Sequence, residues 1–317
     1  MKKLIGYLRL MRLANIITAI TDVLAGVAIA GSLYYSIFGL ADPVSLGNLM
    51  IQYLNYPLMQ KVGLLCLSTI GLYGGGVVLN DVFDAELDKK ERPERPIPSG
   101  LISKTSAAIL GIFLLLMGIA SAAFTNPSDL LNYSALIATV IAVAAVVYDK
   151  WMKHNSFFGP LNMGICRGLN LLLGMSILAF SMQFFWKITF LPIIYIAAIT
   201  MISRGEVHGG KRGTINFAAL LYVIVAFSII VLSYQNNTLT KSLPFLLMFG
   251  LVIFPSLIEA LSKPDGPKIG KAVKSGVIGL IMMNASLAAA FGDLIIAGII
   301  LILFPVSFLL ARAFAVT

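Results

Sequence analysis

Long apolar stretches separated by short polar segments dominate the chain. Each stretch runs to about 20 residues, which is the length of an α-helix that crosses a bilayer. The pattern predicts ten helices, near residues 13–33, 62–82, 104–124, 130–148, 158–181, 188–203, 215–234, 243–262, 269–290 and 293–312. The loops between them are too short for a separate domain. We therefore expect residues 1–317 to form a single all-α, polytopic membrane bundle of about nine to ten transmembrane helices.

The composition supports a membrane protein and argues against a nucleic-acid partner. Hydrophobic residues make up 59% of the chain, charged residues only 12%, and the mean hydropathy is +0.93. The net charge of +9 arises because Lys and Arg concentrate on one side of the predicted bundle. This positive-inside bias predicts a cell-membrane protein with its N-terminus and polar loops in the cytoplasm. Cys66 and Cys166 fall within predicted helices, so no disulfide framework is expected.

A block of acidic residues follows the second predicted helix directly. Asn80, Asp84 and Asp88 are four residues apart and would share one helix face, and Asp81 leans towards the same side. Like charges at this spacing destabilise a helix unless a ligand bridges them, and carboxylates at a membrane helix end indicate a functional site. Mg²⁺ takes oxygen ligands and usually shares them with a phosphate. The block therefore predicts a Mg²⁺ site at Asn80, Asp81, Asp84 and Asp88.

Three prolines, Pro93, Pro96 and Pro98, come next and exclude a continuing helix. The rigid turn that they favour would hold Arg92 and Arg95 near the carboxylates, and carboxylate, Mg²⁺ and arginine together suit a diphosphate. The alternative is a solvated loop carrying charges of both signs. That alternative does not explain the helical phasing of the preceding Asx residues.

A second polar loop, residues 203–212, follows the sixth predicted helix. Its charged or titratable side chains are Arg204, Glu206, His208, Lys211 and Arg212. Four helices separate it from the acidic block. A parallel repeat would arrange two four-helix halves around a central cavity and place both loops at the same side of the membrane.

The first polar block resembles a motif of a known family. Asn80-Asp81-x-x-Asp84-x-x-x-Asp88, followed by Arg92-Pro93-x-Arg95-Pro96-Ile97-Pro98, is similar to the first aspartate-rich motif of the UbiA superfamily of intramembrane prenyltransferases. Tyr148 with Lys153 resembles the Tyr and Lys pair after the family's fourth helix. Residues 159–170 resemble its fifth helix, and the likeness extends from Arg12 to about residue 290.

The resemblance implies a prenyl diphosphate donor bound with Mg²⁺, a small-molecule acceptor and a tail that lies among helices and membrane lipid. It implies diphosphate contacts at Arg12, Asn15, Arg92, Arg95, Arg167, Arg204, Lys211 and Arg212. Ionisation of the donor would give an allylic cation, which Tyr148 would stabilise. Tyr148, Lys153, Glu206 and His208 are the expected catalytic residues, with Glu206 or His208 hypothesised as the base. Each of three residues also has an alternative without a functional role. Arg12 would then only contribute to the positive-inside charge bias, Arg167 would extend its side chain to the membrane surface, and His208 would be an ordinary loop residue.

The second polar loop departs from the family pattern. The family normally carries two or more aspartates there, whereas this chain offers one acid, Glu206, beside His208. Its basic residues would contact diphosphate oxygens directly in place of part of the metal charge. The loop resembles the divergent, UbiA-like EboC subgroup, which is associated with secondary-metabolite gene clusters. An alternative function is therefore a carrier or accessory protein that binds or exports a prenylated or hydrophobic metabolite without catalysis. The sequence leaves the acceptor, the prenyl length and the oligomeric state open.

Overall fold

The computed structural model describes residues 2–38, 56–127, 131–153, 155, 157–206 and 209–314. Within those residues the chain is helical and contains no β-strand, as the hydropathy pattern predicts. The helices are α1 Lys2–Leu10, α2 Leu13–Phe38, α3 Tyr56–Phe83, α4 Ala85–Glu91, α5 Lys104–Ala123, α6 Tyr133–Val147, α7 Phe158–Met175, α8 Ala179–Phe185, α9 Phe190–Ser203, α10 Arg212–Gln235, α11 Leu239–Ser262, α12 Gly266–Ala290 and α13 Leu294–Ala313.

Nine helical segments among the described residues are long and apolar enough to cross a membrane. One of them, Phe158–Ser203, contains two of the ten predicted helices. Two 3-10 turns, Ser176–Leu178 and Trp186–Thr189, interrupt it, so that α9 returns alongside α7. A Cβ atom on Gly168 of α7 would lie 2.8 Å from the carbonyl oxygen of Thr189. The predicted bundle of about nine to ten spans is therefore confirmed.

Small residues let the first helices pack backbone to backbone. Gly26 of α2 faces Gly174 of α7, and a Cβ atom on either would lie 2.1 Å from a carbonyl oxygen of the other helix. Gly71 of α3 and Gly118 of α5 meet in the same way, with a gap of 2.8 Å from a Gly71 Cβ to the Gly118 nitrogen. Such contacts associate helices where lipid supplies no hydrophobic driving force. They pair α2 with α7 and α3 with α5.

Two helix ends differ from the expectation. A separate short helix, α1, precedes the first span, and its junction with α2 falls at Arg12, which has a positive φ of 49°. The second span does not stop at residue 82. It reaches Phe83, passes Asp84 in a helical conformation (φ −84°, ψ 0°) and continues as α4 to Glu91. Backbone hydrogen bonds from Asp84 to Asn80 and from Asp88 to Asp84 keep the helical spacing of the acidic block.

Candidate active site

A cavity of about 300 Å³ opens between the two halves of the chain. Its walls include Leu72, Tyr73 and Val77 of α3, Ile141 of α6, Ile196 of α9 and Leu280 of α12. Polar side chains gather at one part of its lining, namely Arg12, Asn15, Asn80, Tyr148, Asp149, Arg167 and Asn170. We call the end at Arg12, Asn80 and Asp149 the polar mouth. An apolar cavity with a few converging polar groups is typical of a ligand site.

Two arginines hold the carboxylates of the acidic block. Asp81 accepts hydrogen bonds from Arg12 Nη2 at 3.0 Å and from Arg95 Nη1 at 3.4 Å, and Arg95 Nη1 also lies 2.7 Å from Asp88 Oδ2. The prolines around Arg95 turn the chain back so that its side chain is buried between the two carboxylates. The predicted approach of Arg95 to the acidic cluster is thus found, whereas Arg92 remains solvent-exposed.

Arg12 reaches the acidic block because of its unusual backbone. A non-glycine residue with positive φ is uncommon, and such strained residues cluster at functional sites. At φ 49° the chain turns between α1 and α2, and the side chain of Arg12 spans to Asp81, 69 residues further along the sequence. Arg12 and Asn15 both line the cavity, as the predicted diphosphate contacts require.

The acidic block also contacts a π-helical turn, Tyr148–Met152, at the end of α6. Asn80 Nδ2 donates to Asp149 Oδ1 at 2.8 Å, and one helical turn later Asp84 pairs with Lys153. Tyr148, the first residue of the turn, lines the cavity and places its hydroxyl 3.4 Å from Met163 Sδ. Tyr148 and Lys153 are therefore brought to the acidic block, and π-helical turns of this kind are frequent at functional sites.

Asp149 is a site residue that the sequence reasoning missed. It is buried in the cavity wall, and its Oδ2 atom has no hydrogen-bond partner. One signal was available: Asp149 precedes Lys153 by the same four residues that separate Asn80 from Asp84. Because Asp149 directly follows an apolar helix, it reads in isolation as an ordinary polar helix end.

Arg167 is buried in the cavity wall and paired with an acid. Its Nη1 lies 2.7 Å from Asp22 Oδ2, and its Nη2 donates to Thr18 Oγ1 at 2.6 Å. Asn170 and Asn284 also donate to Asp22, at 3.2 and 2.7 Å. Intramembrane charges normally pair in this way. The structure thus places Arg167 inside the bundle, away from lipid, and its contact with a diphosphate stays a prediction.

The second polar loop lies beside the cavity. Arg204 joins Tyr148, Lys153 and Thr200 around an adjoining cavity of about 310 Å³. Glu206 does not line either cavity. Partial burial raises the pKa of Glu206 above its ordinary value. The nearby charges of Lys274 and Arg92 lower the pKa, but by less.

Two further basic residues of this loop line neither cavity. Lys211 and Arg212 are solvent-exposed, and Arg212 donates to the Ser262 carbonyl at 3.1 Å. His208 lies outside the described residues, so its predicted role has no structural counterpart here. The roles of all three residues stay predictions.

The acidic block fits Mg²⁺ by its donor chemistry, although the side chains do not form a complete cage. Within the described ranges, no three Asp, Glu, His or Cys side chains converge closely enough to hold a metal ion alone. Mg²⁺ usually binds through one or two carboxylates and takes its other oxygens from substrate phosphate and water. Asn80, Asp81, Asp84 and Asp88 would therefore hold the ion jointly with a diphosphate. Three cations, Arg12, Arg95 and Lys153, lie among four carboxyl groups, which belong to the three aspartates of the block and to Asp149. The excess of negative charge favours a bound cation.

Comparison with known proteins decides the family. The sequence profile of the UbiA prenyltransferase family matches residues 40–258. The chain belongs to the UbiA prenyltransferase family. A digeranylgeranylglyceryl phosphate synthase of Saccharolobus solfataricus is 28% identical over 261 residues, which are 80% of this chain and 82% of that protein. Another, of Methanococcoides burtonii, is 34% identical over 168 residues, or 53% of each chain.

A solved structure supports the UbiA fold. Described as "Structural and mechanistic insights into the biosynthesis of Digeranylgeranylglyceryl phosphate synthase in membranes", it covers 93% of this chain and 99% of its own, with a TM-score of 0.59 and 23% identity. The resemblance of the chain to the UbiA superfamily is thus confirmed, and the protein is a multi-pass membrane prenyltransferase. Members of this family use prenyl diphosphate donors with small-molecule acceptors and generally require Mg²⁺. Assignment to the EboC subgroup stays a prediction.

Proposed function

We propose that this UbiA-family enzyme transfers a prenyl group from a prenyl diphosphate to a small-molecule acceptor by Mg²⁺-assisted ionisation. The observation that carries the proposal is the meeting of an apolar cavity with the acidic block. Arg12 lines the cavity at the polar mouth and pairs with Asp81, while Arg95 and Lys153 pair with Asp88 and Asp84 of the same block. A prenyl diphosphate has the same division, with an anionic head and an apolar tail. The head would bind at the mouth and the tail would extend along the cavity wall.

The cations paired with the acidic block supply binding and orientation. Arg12, Arg95 and Lys153 would release part of their contact with the carboxylates to the diphosphate oxygens, because N–H donors bind phosphate strongly. A divalent cation bound there adds positive charge where negative charge develops on the leaving diphosphate. Arg204, beside Lys153 in the adjoining cavity, lies within the same region and extends the positive lining.

The transfer itself breaks the bond between the donor's C1 carbon and the diphosphate oxygen. The electron pair stays with the diphosphate, and the allylic cation left behind lies against Tyr148, whose ring face attracts positive charge. A nucleophilic atom of the acceptor then forms a bond to C1 and loses its proton. Glu206 is our candidate to receive that proton. It stands outside the cavity lining, so the transfer would require movement of its loop or a water chain.

Two features bear on the acceptor. The relatives named above are digeranylgeranylglyceryl phosphate synthases, which supports a phosphorylated lipid alcohol such as geranylgeranylglyceryl phosphate as the first acceptor to test. The divergent second loop supports instead a small metabolite of a secondary pathway.

A carrier without catalysis is the second candidate function, and it is favoured by the single carboxylate, Glu206, in that loop. The positive-inside charge bias supports a cytoplasmic orientation of the mouth.

The test uses the full chain in lipid nanodiscs with radiolabelled geranylgeranyl diphosphate. The acceptor is geranylgeranylglyceryl phosphate in one arm and an extract of the host's small molecules in the other, each with Mg²⁺ and with EDTA. A Mg²⁺-dependent labelled product in either arm supports the transferase and identifies the acceptor class. Donor binding with no product in both arms supports the carrier.

A further inference from the structure

Asp149 lies in the polar mouth with its carboxylate buried, and burial of a charged group costs free energy. It is 4% exposed, and one of its two carboxyl oxygens has no hydrogen-bond partner. Leaving a buried polar atom without a partner costs about 1–3 kcal/mol, and more for a charged group. The other oxygen, Oδ1, accepts a hydrogen bond from Asn80 Nδ2 at 2.8 Å. A buried carboxylate kept in this state at a cavity wall indicates a ligand that completes it.

The π-helical turn explains how Asp149 comes to face inwards. The turn runs from Tyr148 to Met152, directly after α6. Within it Asp149 is buried, whereas the next residue, Lys150, is exposed and lies 4.5 Å from the ring centre of Trp151. The same turn delivers Lys153 to Asp84. Asn80–Asp149 and Asp84–Lys153 thus form two consecutive cross-links between the end of α3 and this turn.

The hydrogen bond between Asn80 and Asp149 fixes the direction of the Asn80 amide. A side-chain amide has one NH₂ end and one oxygen end. Because the NH₂ end donates to Asp149, the oxygen end is available to a cation at the mouth. Groups that orient metal ligands in this way typically change metal affinity 10-fold to 100-fold when they are removed.

We propose that Asp149 serves the cation–diphosphate complex in two ways: it positions the Asn80 amide, and its Oδ2 atom is a further oxygen ligand. This inference rests on the proposed function, since it assumes that a cation and a diphosphate occupy the polar mouth. It adds a carboxylate from the turn after α6 to the acidic block of α3 and α4. That carboxylate supplies negative charge which the second polar loop, with Glu206 alone, lacks.

The experiment measures cation affinity without turnover. Mn²⁺ replaces Mg²⁺ and is titrated by electron paramagnetic resonance into the purified full chain, with a non-reactive thio-analogue of geranylgeranyl diphosphate present. Asp149→Ala removes both the charge and the acceptor of the Asn80 bond. Asp149→Asn keeps an acceptor oxygen but removes the charge. Asp84→Asn is the positive control, and Glu86→Gln is the matched charge control because Glu86 is exposed and pairs with Lys89, away from the cavity lining.

We expect the Mn²⁺ dissociation constant to rise about 10-fold to 100-fold in Asp149→Ala and less in Asp149→Asn, with Glu86→Gln unchanged. Thermal unfolding of each variant shows whether it is folded, and Asp149→Asn keeps the test decisive if Asp149→Ala does not fold. Unchanged affinity in the Asp149 variants, with loss in Asp84→Asn, overturns this inference but leaves the proposed function standing. If the unaltered chain binds no Mn²⁺ with the analogue, both fail.

Discussion

Arg12 Nη2 and Asp81 Oδ1 lie 3.0 Å apart, although 69 residues separate them in the chain. The contact joins the strained turn between α1 and α2 to the end of α3, and it places a guanidinium in the lining of the cavity. In an enzyme that binds a diphosphate at this mouth, such a guanidinium can exchange a carboxylate oxygen for a phosphate oxygen at little cost in geometry.

Arg12 should contribute directly to binding of the donor. Arg12→Ala should raise KM for the prenyl diphosphate about 10-fold to 100-fold, because hydrogen bonds to charged groups contribute about 1.5–3 kcal/mol. Steady-state kinetics of reconstituted enzyme measure the change. Arg9→Ala is the control, since Arg9 belongs to the same short helix but is exposed. Equal effects of the two variants would mean that Arg12 acts only through general charge or topology.

The buried pair of Asp22 and Arg167 should stabilise the bundle strongly. Asp22→Ala leaves the Arg167 guanidinium buried without its carboxylate, a change that typically costs about 3–5 kcal/mol. Thermal unfolding of detergent-solubilised protein should show a clearly lower midpoint. The double variant Asp22→Leu, Arg167→Met should recover much of the loss, because it buries no charge. A single variant that unfolds at the same temperature as the parent would contradict the account.

Close packing of α2 against α7 predicts a steep steric effect at Gly26. Gly26→Ala would place a Cβ atom 2.1 Å from the Leu171 carbonyl oxygen, so the helices must separate. Overpacking of this kind typically costs about 1–3 kcal/mol. Gly63→Ala is the matched control, because nothing lies within 4 Å of its added Cβ. The unfolding midpoint should fall in Gly26→Ala, whereas in Gly63→Ala it should stay the same or rise, because Ala favours a helix interior over Gly.

The pH dependence follows from Glu206, whose pKa is raised by partial burial despite Lys274 and Arg92. A carboxyl group whose pKa is higher in the folded than in the unfolded protein binds its proton more tightly in the folded protein. Its contribution to stability is therefore present below the ordinary pKa and is lost as pH rises through the folded-state value. If Glu206 accepts the proton of the acceptor, kcat/KM should fall as pH drops through that raised pKa. Glu206→Gln should lower the plateau and remove this acid limb; a profile of unchanged shape and height would assign the base elsewhere.

Local pattern was sufficient for part of this structure. Apolar stretches of spanning length predict the bundle, and the four-residue phasing of Asn80, Asp84 and Asp88 predicts a helical acidic block. Both follow from short-range chemistry. The burial of a cation, Arg167, could also be anticipated, because lipid penalises an unpaired charge.

The sequence pattern could not predict contacts between residues that are far apart in the chain. Nothing near Arg12 reveals its positive φ or its partner Asp81, and nothing near Asp149 reveals Asn80, because both contacts depend on how α2, α3 and α6 pack. The glycines that allow this packing are visible in the sequence, but their partners are not. For the same reason the pairing of Asp22 with Arg167 could not be foreseen, since the two residues lie on α2 and α7.

In the proposed reaction, the acidic block binds the donor diphosphate with a divalent cation and promotes the release of diphosphate. The most direct measurement is diphosphate release from geranylgeranyl diphosphate by nanodisc-reconstituted enzyme with a productive acceptor, over a Mg²⁺ titration, for the unaltered chain, Asp84→Asn and Glu86→Gln. We predict release that requires Mg²⁺, stops with EDTA, falls at least about 100-fold in Asp84→Asn and persists in Glu86→Gln. Release that is independent of Mg²⁺, or equal in Asp84→Asn and the unaltered chain, would contradict it.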